Sequence, residues 1–469
     1  MEKYYLAIDI GASSGRHILA HKAQGKMVLE EIHRFPNGMT EKDGRLVWDT
    51  DRLFAEIKAG MKKCADLGKI PVSVGIDTWA VDFVLLDNEG KRICDAVAYR
   101  DSRTEKMDEK VYEVIPESEL YARTGIQKQK FNTIYQLMAM KEQEPEILNQ
   151  ADCLLMIPDY FHYLLAGVKT VEYTNASTTQ LVSPETKRWD MDLIKALGYP
   201  EQIFPGITTA GTCLGHLTEE IQNEIGYDCK VVIPGTHDTA SAVLAVPAGK
   251  DEETLYISSG TWSLMGTELK EADCSKKAGQ CNFTNEGGYD YRFRFLKNIM
   301  GLWMIQSVKK EIAAELSFGE ICDMASKETI SSRVNCNDDR FMAPESMVRE
   351  VQKACDESGQ QVPEGIAQVA SVIYNSLADC YKEAAEEIEA LTGVRYNKIR
   401  IVGGGSNAVY LNQLTANASG KEVYAGPTEA TAIGNIAAQM IAAKELENLE
   451  AARACIGESF EIKIYRPQR

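Results

Sequence analysis

Two turns of small residues, one near the start of the chain and one past its midpoint, carry most of the chemistry that its residues suggest. The first is Gly11-Ala12-Ser13-Ser14-Gly15, preceded by Asp9 and followed by Arg16. Successive backbone N–H groups in such a turn can point at one anion, and the small side chains let it come close. Asp9 stands where a carboxylate can hold a magnesium ion, usually through water. The second turn is Ser259-Gly260-Thr261, and Ser14-Gly15-x-x-x-Leu19 matches Ser259-Gly260-x-x-x-Leu264. Either turn alone also suits an ordinary hairpin loop. As a pair, one per half, they suit the phosphates of one nucleotide. A third close-approach segment is Gly403-Gly404-Gly405-Ser406-Asn407. Its glycines let a ribose or a flat base sit against the backbone, or simply make a tight strand–helix turn.

An acid that could take a proton stands in His237-Asp238-Thr239. Phosphoryl transfer to a hydroxyl needs a group to accept the hydroxyl proton, and Asp238 can serve, although an aspartate there also suits a helix N-cap. Thr78-Trp79-Ala80-Val81-Asp82 sets an aromatic ring beside an acid; Trp79 either stacks on a sugar face or fills core. Tyr99-Arg100-Asp101-Ser102-Arg103 is a charge cluster of the kind usually found as surface ion pairs. Other chemistries are excluded. There is no G-x-x-x-x-G-K-[ST], and the Gly11–Gly15 turn returns into a strand, against a dinucleotide-binding fingerprint. The 12 cysteines contain no C-x-x-C, and their closest spacing is Cys274 to Cys281, so they read as scattered reduced thiols.

The elements that must position these residues alternate between strand and helix, which predicts an α/β fold. Tyr5–Ile10 and Arg16–Ala20 read as a hairpin around the first turn. Residues 72–77 and 81–87 read as a further strand pair, and 105–200 as mostly helical, with Leu154 and Leu155 among the helical positions. Strand, turn and helix follow over 231–244, and 254–266 repeats the opening hairpin. Residues 315–365 show no clear strand. A helix over 365–391, a strand at 399–402, a helix over 408–418, a strand at 422–425 and a final helix over 428–443 close the set. The length of 469 residues predicts two large domains, 1–246 and 252–469, divided in the stretch Val246–Glu253.

A net charge of −18 argues against nucleic-acid and anionic-membrane partners. It leaves phosphates to backbone amides, a metal ion and a few local cations. The N-terminal run reaches Asp9 too early for a signal peptide, and no apolar run approaches the ~18–20 residues that cross a bilayer, so the cytoplasm is the expected location.

Ala7–Arg16, Gly75–Phe83, Tyr99–Arg103, Pro158–Phe161, His237–Ala242, Ser258–Gly266, Lys297–Trp303 and Gly403–Asn407 resemble, in order and over essentially the whole chain, the motifs of the FGGY carbohydrate kinases. The resemblance implies two actin-like ATPase (ribonuclease-H-like) domains with a catalytic cleft between them. It implies Mg2+ and ATP, with a small-molecule sugar as acceptor. The nearest members imply transfer of the ATP γ-phosphate to the C1 hydroxyl of L-rhamnulose, in L-rhamnose catabolism. Carried over by position, Asp238 resembles the catalytic base. Ala12, Ser13, Ser14, Gly15 and Arg16 resemble the first phosphate loop, and Gly260 and Thr261 the second. Asn298 and His237–Thr239 resemble sugar ligands; Gln306, Gly404 and Gly405 resemble nucleotide contacts. Family members carry glycine where this chain has Ala80, so the added methyl bears on sugar affinity. Kinases for xylulose, fuculose or glycerol, an actin-type nucleotide-gated binding module and a phosphosugar phosphatase are the alternatives to test.

Overall fold

Tyr5-Leu6-Ala7-Ile8 is an unbroken apolar run, the pattern of a strand covered on both faces. In the computed structural model, which describes residues 2–249 and 253–468, it lies in β1 (Tyr4–Ile10), and all four residues are wholly buried. β2 (Ser14–Ala23) pairs antiparallel with β1, placing Ile10 opposite Gly15, and β3 (Lys26–Pro36) pairs antiparallel with β2. Helix α1 (Thr50–Asp66) is capped by the Asp49 carboxylate, which accepts from Arg52 N. Its buried Leu53, Ile57 and Met61 recur every four residues, so one face is apolar. β4 (Pro71–Thr78) then pairs in parallel with β1, setting Asp77 beside Asp9.

The expected partner of β4 is not its partner. β5 (Phe83–Leu86) pairs antiparallel with β6 (Cys153–Met156), outside the main sheet. Leu154 and Leu155 are therefore strand residues and not helical ones. A short apolar run does not tell strand from buried helix by periodicity alone. Helices occupy most of the rest of Met107–Ala196. β7 (Cys213–His216) and β8 (Lys230–Val232) complete the first sheet, whose order is β7-β8-β4-β1-β2-β3, and α2 (Asp238–Leu244) follows.

The second half opens with β9 (Leu255–Ser259) and β10 (Ser263–Leu269), an antiparallel hairpin. β11 (Thr284–Gly287), β12 (Phe293–Ile299) and α3 (Trp303–Ile312) come next. Residues 315–365 hold no strand but two helices, α4 (Phe318–Ala325) and α5 (Met347–Glu357). The long α6 (Gly365–Thr392), β13 (Lys398–Val402), α7 (Val409–Ser419), β14 (Glu422–Ala425) and α8 (Ala430–Ala442) follow the sequence pattern. The chain does not close there: α9 (Leu449–Ser459) and β15 (Lys463–Tyr465) extend it.

The chain packs as two units, Met1–Ala245 with Glu268–Phe295 and Thr431–Ser459, and Val246–Thr267 with Leu296–Ala430 and Phe460–Arg469. Compactness thus does not follow the linear halves, because two later stretches return to the first unit. Lys250, Asp251 and Glu252, at the expected boundary, lie outside the described residues. Strand order in the first unit runs β3-β2-β1-β4-β8, and in the second β12-β10-β9-β13-β14. Each has an antiparallel hairpin whose first strand takes a parallel neighbour on its other side, β4 or β13. The two sheets share one topology. No helix among the described residues is long and apolar enough to cross a membrane.

Candidate active site

The first turn is short because Ser14 and Gly15 already belong to β2. Gly11 N donates to Ser14 O at 2.9 Å, and Asn37 braces the turn by donating from N to Ser13 O at 2.9 Å and from Nδ2 to Gly11 O at 2.8 Å. Ala12 is half-buried and Ser13 exposed. Gly15 faces inward, where a Cβ would lie 2.1 Å from the Phe35 ring. Opposite each other on the hairpin, Arg16 donates to Asp9 Oδ2 from Nε at 3.0 Å and from Nη2 at 2.8 Å.

Two more carboxylates complete this region. Asp77 is wholly buried; Asn435 Nδ2 donates to its Oδ2 at 2.6 Å, and its Oδ1 has no partner. Burial, then the charge of Asp9, holds the Asp77 carboxyl well above the usual range. Asp238 is the first residue of α2 and not its cap, which is His237. Its Oδ1 accepts from Thr239 N at 2.6 Å and Thr239 Oγ1 at 3.2 Å. Burial, then Asp9, pushes Asp238 up to about 7. Thr78 N donates to Thr236 O at 2.9 Å, tying the end of β4 to the segment that carries Asp238. His237 Nε2 lies 3.4 Å from Asp238 Oδ1, and its Nδ1 lies 3.0 Å from Arg294 Nη2. Arg294 is in turn 3.0 Å from Glu286.

Ala80 sits half-buried in a strained loop: Val81 has φ +68°, which β-branched residues rarely adopt. Thr133 Oγ1 and Gln136 Nε2 hold it by donating to Val81 O, and the next residue, Asp82, is surrounded by donors. Its Oδ2 accepts from Trp48 Nε1 at 2.6 Å, Trp79 Nε1 at 2.9 Å and Tyr99 N at 3.1 Å, and its Oδ1 from Gln136 Nε2 at 3.0 Å. Burial still outweighs these donors and pushes Asp82 up to about 6. Trp79 is 7% exposed and packs on Trp48 with ring centroids 4.0 Å apart, so it fills core. The Tyr99–Arg103 cluster is divided: Asp101 and Arg103 are buried, Tyr99 is half-buried, and Arg100 and Ser102 are exposed. Asp101 accepts from Leu46 N at 2.8 Å and Arg103 N at 2.9 Å, and Arg103 donates to Gln136 at 2.8 Å.

The second unit gathers a different set. Gly260 N donates to Trp262 O at 2.8 Å, and Leu302 N and Trp303 N donate to Gly260 O and Thr261 O at 3.2 and 3.0 Å, so the turn rests on the start of α3. Gln306 follows one turn along that helix. A Cβ on Gly405 would lie 2.0 Å from Ser259 Oγ, so only glycine lets Gly404–Asn407 close against the turn. Asn298 is half-buried on β12. In short, Asp9, Ala12–Arg16, Ala80 and His237–Thr239 belong to the first unit; Gly260, Thr261, Asn298, Gln306, Gly404 and Gly405 belong to the second.

Sequence reasoning missed Asp77, Arg294 and Glu286. Asp77 had a signal, since Val74-Gly75-Ile76-Asp77 repeats the apolar run ending in aspartate of Leu6-Ala7-Ile8-Asp9. Arg294 and Glu286 had none. No group of three or more His, Cys, Asp or Glu able to hold a metal ion occurs among the described residues.

Comparison with known proteins adds family and fold. Residues 4–245 match the N-terminal domain, and 255–443 the C-terminal domain, of the FGGY family of carbohydrate kinases. The chain is 51% identical over 462 residues to the rhamnulokinase of Halalkalibacterium halodurans, covering 98% of both chains. It is 45% identical over 468 residues to that of Bacillus subtilis, covering 99% of this chain and 95% of the relative. Among solved structures, gluconate kinase from Lactobacillus acidophilus superposes with TM-score 0.81 at 15% identity, over 100% of this chain and 94% of the other. Plasmodium falciparum glycerol kinase with ADP gives 0.77 at 14%, over 100% and 94%. The two halves of the chain thus match the two domains of one kinase family in turn, and this chain belongs to the FGGY family of carbohydrate kinases.

Proposed function

We propose that this kinase transfers the γ-phosphate of ATP to the C1 hydroxyl of L-rhamnulose, giving L-rhamnulose 1-phosphate and ADP in L-rhamnose catabolism. The observation that carries the choice of substrate is identity of 41–51% to several rhamnulokinases over nearly the full chain.

Asp238 is the general base. Its carboxylate is 35% exposed, so a hydroxyl can reach it, and burial with Asp9 raises its basicity toward the range a base needs near neutrality. His237 and Thr239, beside it, with Ala80 and Asn298, are sugar ligands. The amides of Ala12–Arg16 and of Gly260–Thr261 bind phosphate oxygens, where fixed dipoles stabilise the charge that develops on transfer. Gln306 and the Gly404–Gly405 backbone take the nucleoside. Positioning and charge do the rest, because phosphoryl transfer asks little covalent chemistry of the protein.

Magnesium fits Asp9. The charge of Asp9 raises the proton affinity of Asp77 and Asp238, Asp77 Oδ1 is an orphan, and Arg16 pairs with Asp9. Magnesium takes one or two carboxylates and completes its shell with water and phosphate, so a three-ligand cage is not required. When bound, it neutralises charge on the β- and γ-phosphate oxygens. A cytoplasmic location suits a kinase that draws on ATP.

An acceptor panel with ATP and magnesium, followed by ADP release, tests this reading. L-Rhamnulose is expected to be the best acceptor among rhamnulose, xylulose, fuculose and glycerol; a poor rate on rhamnulose refutes the assignment. Asp238→Asn is expected to lower kcat by ~10²–10⁴-fold while sugar binding persists. Near-normal turnover would remove Asp238 from its role.

A further inference from the structure

We propose that Arg294 is a positioning residue that fixes His237 as a hydrogen-bond donor through Nε2. The oxygen beside the reacting hydroxyl of the substrate must then be an acceptor. The inference rests on the sugar-kinase reading of the His237–Asp238 site for its consequence, but not for its geometry.

Arg294 is wholly buried, and its Nη2 lies 3.0 Å from His237 Nδ1. A guanidinium has donors only, so Nδ1 must offer its lone pair. A neutral imidazole carries one ring proton, which therefore sits on Nε2. The other tautomer would aim Nδ1–H at Glu286 Oε2, 3.4 Å away, and set it against the Arg294 N–H. Glu286 instead anchors Arg294, with Oε2 3.0 Å from Nη2, and Arg294 Nε donates to Gly287 O at 2.8 Å. Burial and the Arg294 charge hold His237 well below its usual pKa, which keeps the ring neutral.

The Nε2 proton then faces the reaction. Asp238 Oδ1 is 3.4 Å from Nε2 and already accepts from both Thr239 N and Thr239 Oγ1. A substrate oxygen next to the hydroxyl that Asp238 deprotonates is a better acceptor for Nε2–H. The 1-hydroxy-2-keto end of a ketose has this pattern, with the C2 oxygen accepting and the C1 hydroxyl giving up its proton. Arg294 touches neither; it selects which face of the imidazole donates.

The test uses the full chain labelled with [15N]histidine, without substrate. Long-range 1H–15N spectra at neutral pH are expected to show His237 protonated at Nε2 and bare at Nδ1. In Arg294→Met the ring should drift to a tautomer mixture, and KM for the ketose should rise ~10–100-fold with KM for ATP unchanged. Arg294→Lys, which keeps one donor, should recover part of the loss. Because Arg294→Met strands a buried carboxylate, the Arg294→Met/Glu286→Gln pair provides a folded variant with the same expected tautomer mixture. Protonation of His237 at Nδ1 in the unaltered protein overturns the proposal. So does a ring that stays fixed in both variants, or an equal rise in the two KM values. Failure of the rhamnulose assignment alone would appear as a correct tautomer with no turnover of that sugar.

Discussion

The two hairpins β1–β2 and β9–β10 occupy the same place in sheets of the same order, yet they are built for different work. The first has charge on both strands: Asp9 and Arg16 face each other, and Asp77 stands on the neighbouring strand. The second has the uncharged Ser258 and Leu264 at the equivalent rung, one step from the closing pair Ser259 and Ser263, and is held by backbone bonds to the start of α3 and by contact with Gly405. One turn combines amides with local ionic chemistry. The other offers amides and shape. A repeated fold has kept the frame twice and the charged machinery once.

Substitutions can break this contrast. The largest effect is expected from Asp9→Asn, which should lower kcat by ~10²-fold or more and raise the magnesium needed for half-maximal rate. A magnesium titration that does not shift removes Asp9 as the ligand. Gly405→Ala should follow. Its Cβ would press on Ser259 Oγ, so overpacking should cost ~1–3 kcal/mol of stability, lower Tm and raise KM for ATP while KM for the sugar stays. Equal damage to both KM values would mean the second turn is not confined to the nucleotide.

The pH profile tests the reach of the first hairpin, because Asp9 tunes Asp238. Asp238 must be ionised to act, and its pKa is raised to about 7, so kcat/KM is expected to fall tenfold per pH unit below a point between the ordinary carboxylate range and 7. The sign for stability is opposite: a carboxyl raised on folding disfavours the folded state in full above its folded pKa, and that penalty is lost progressively as pH falls from there to the ordinary carboxylate range. An acid limb at the ordinary carboxylate value would show that neither burial nor Asp9 tunes this group. Arg16→Met should have the smallest effect, a few-fold rise in KM for ATP that fades at high salt.

The hairpins, α6 and the β13–α7–β14–α8 run were legible because their periodicity and Gly-rich turns are local. The second hairpin was legible from its own strand–turn–strand pattern, but the Ser-Gly match did not give the register, since Ser14 opens β2 whereas Ser259 ends β9. Trp79 was ambiguous, since an indole beside an acid reads alike in a sugar site and in core; only Trp48 and the shared Asp82 decide it. The left-handed Val81 left no sign, because its strain is stabilised by Thr133 and Gln136, which bond its carbonyl from more than 50 positions away. Arg294 and Glu286 were illegible for the same reason: what they do depends on His237, 57 positions from Arg294.

The first unit has a consequence for how this enzyme is made. Asp77 meets Asn435 across 358 positions, and Ser73 meets Gln439 across 366. A ribosome that has finished the first 245 residues has therefore not yet supplied the partners of the buried Asp77 and Ser73. The nascent unit must wait, with part of its central sheet uncovered, until α8 emerges. Stalled or truncated products should be its characteristic burden on chaperones, and cutting the gene at the midpoint should yield two fragments of which the first does not fold alone.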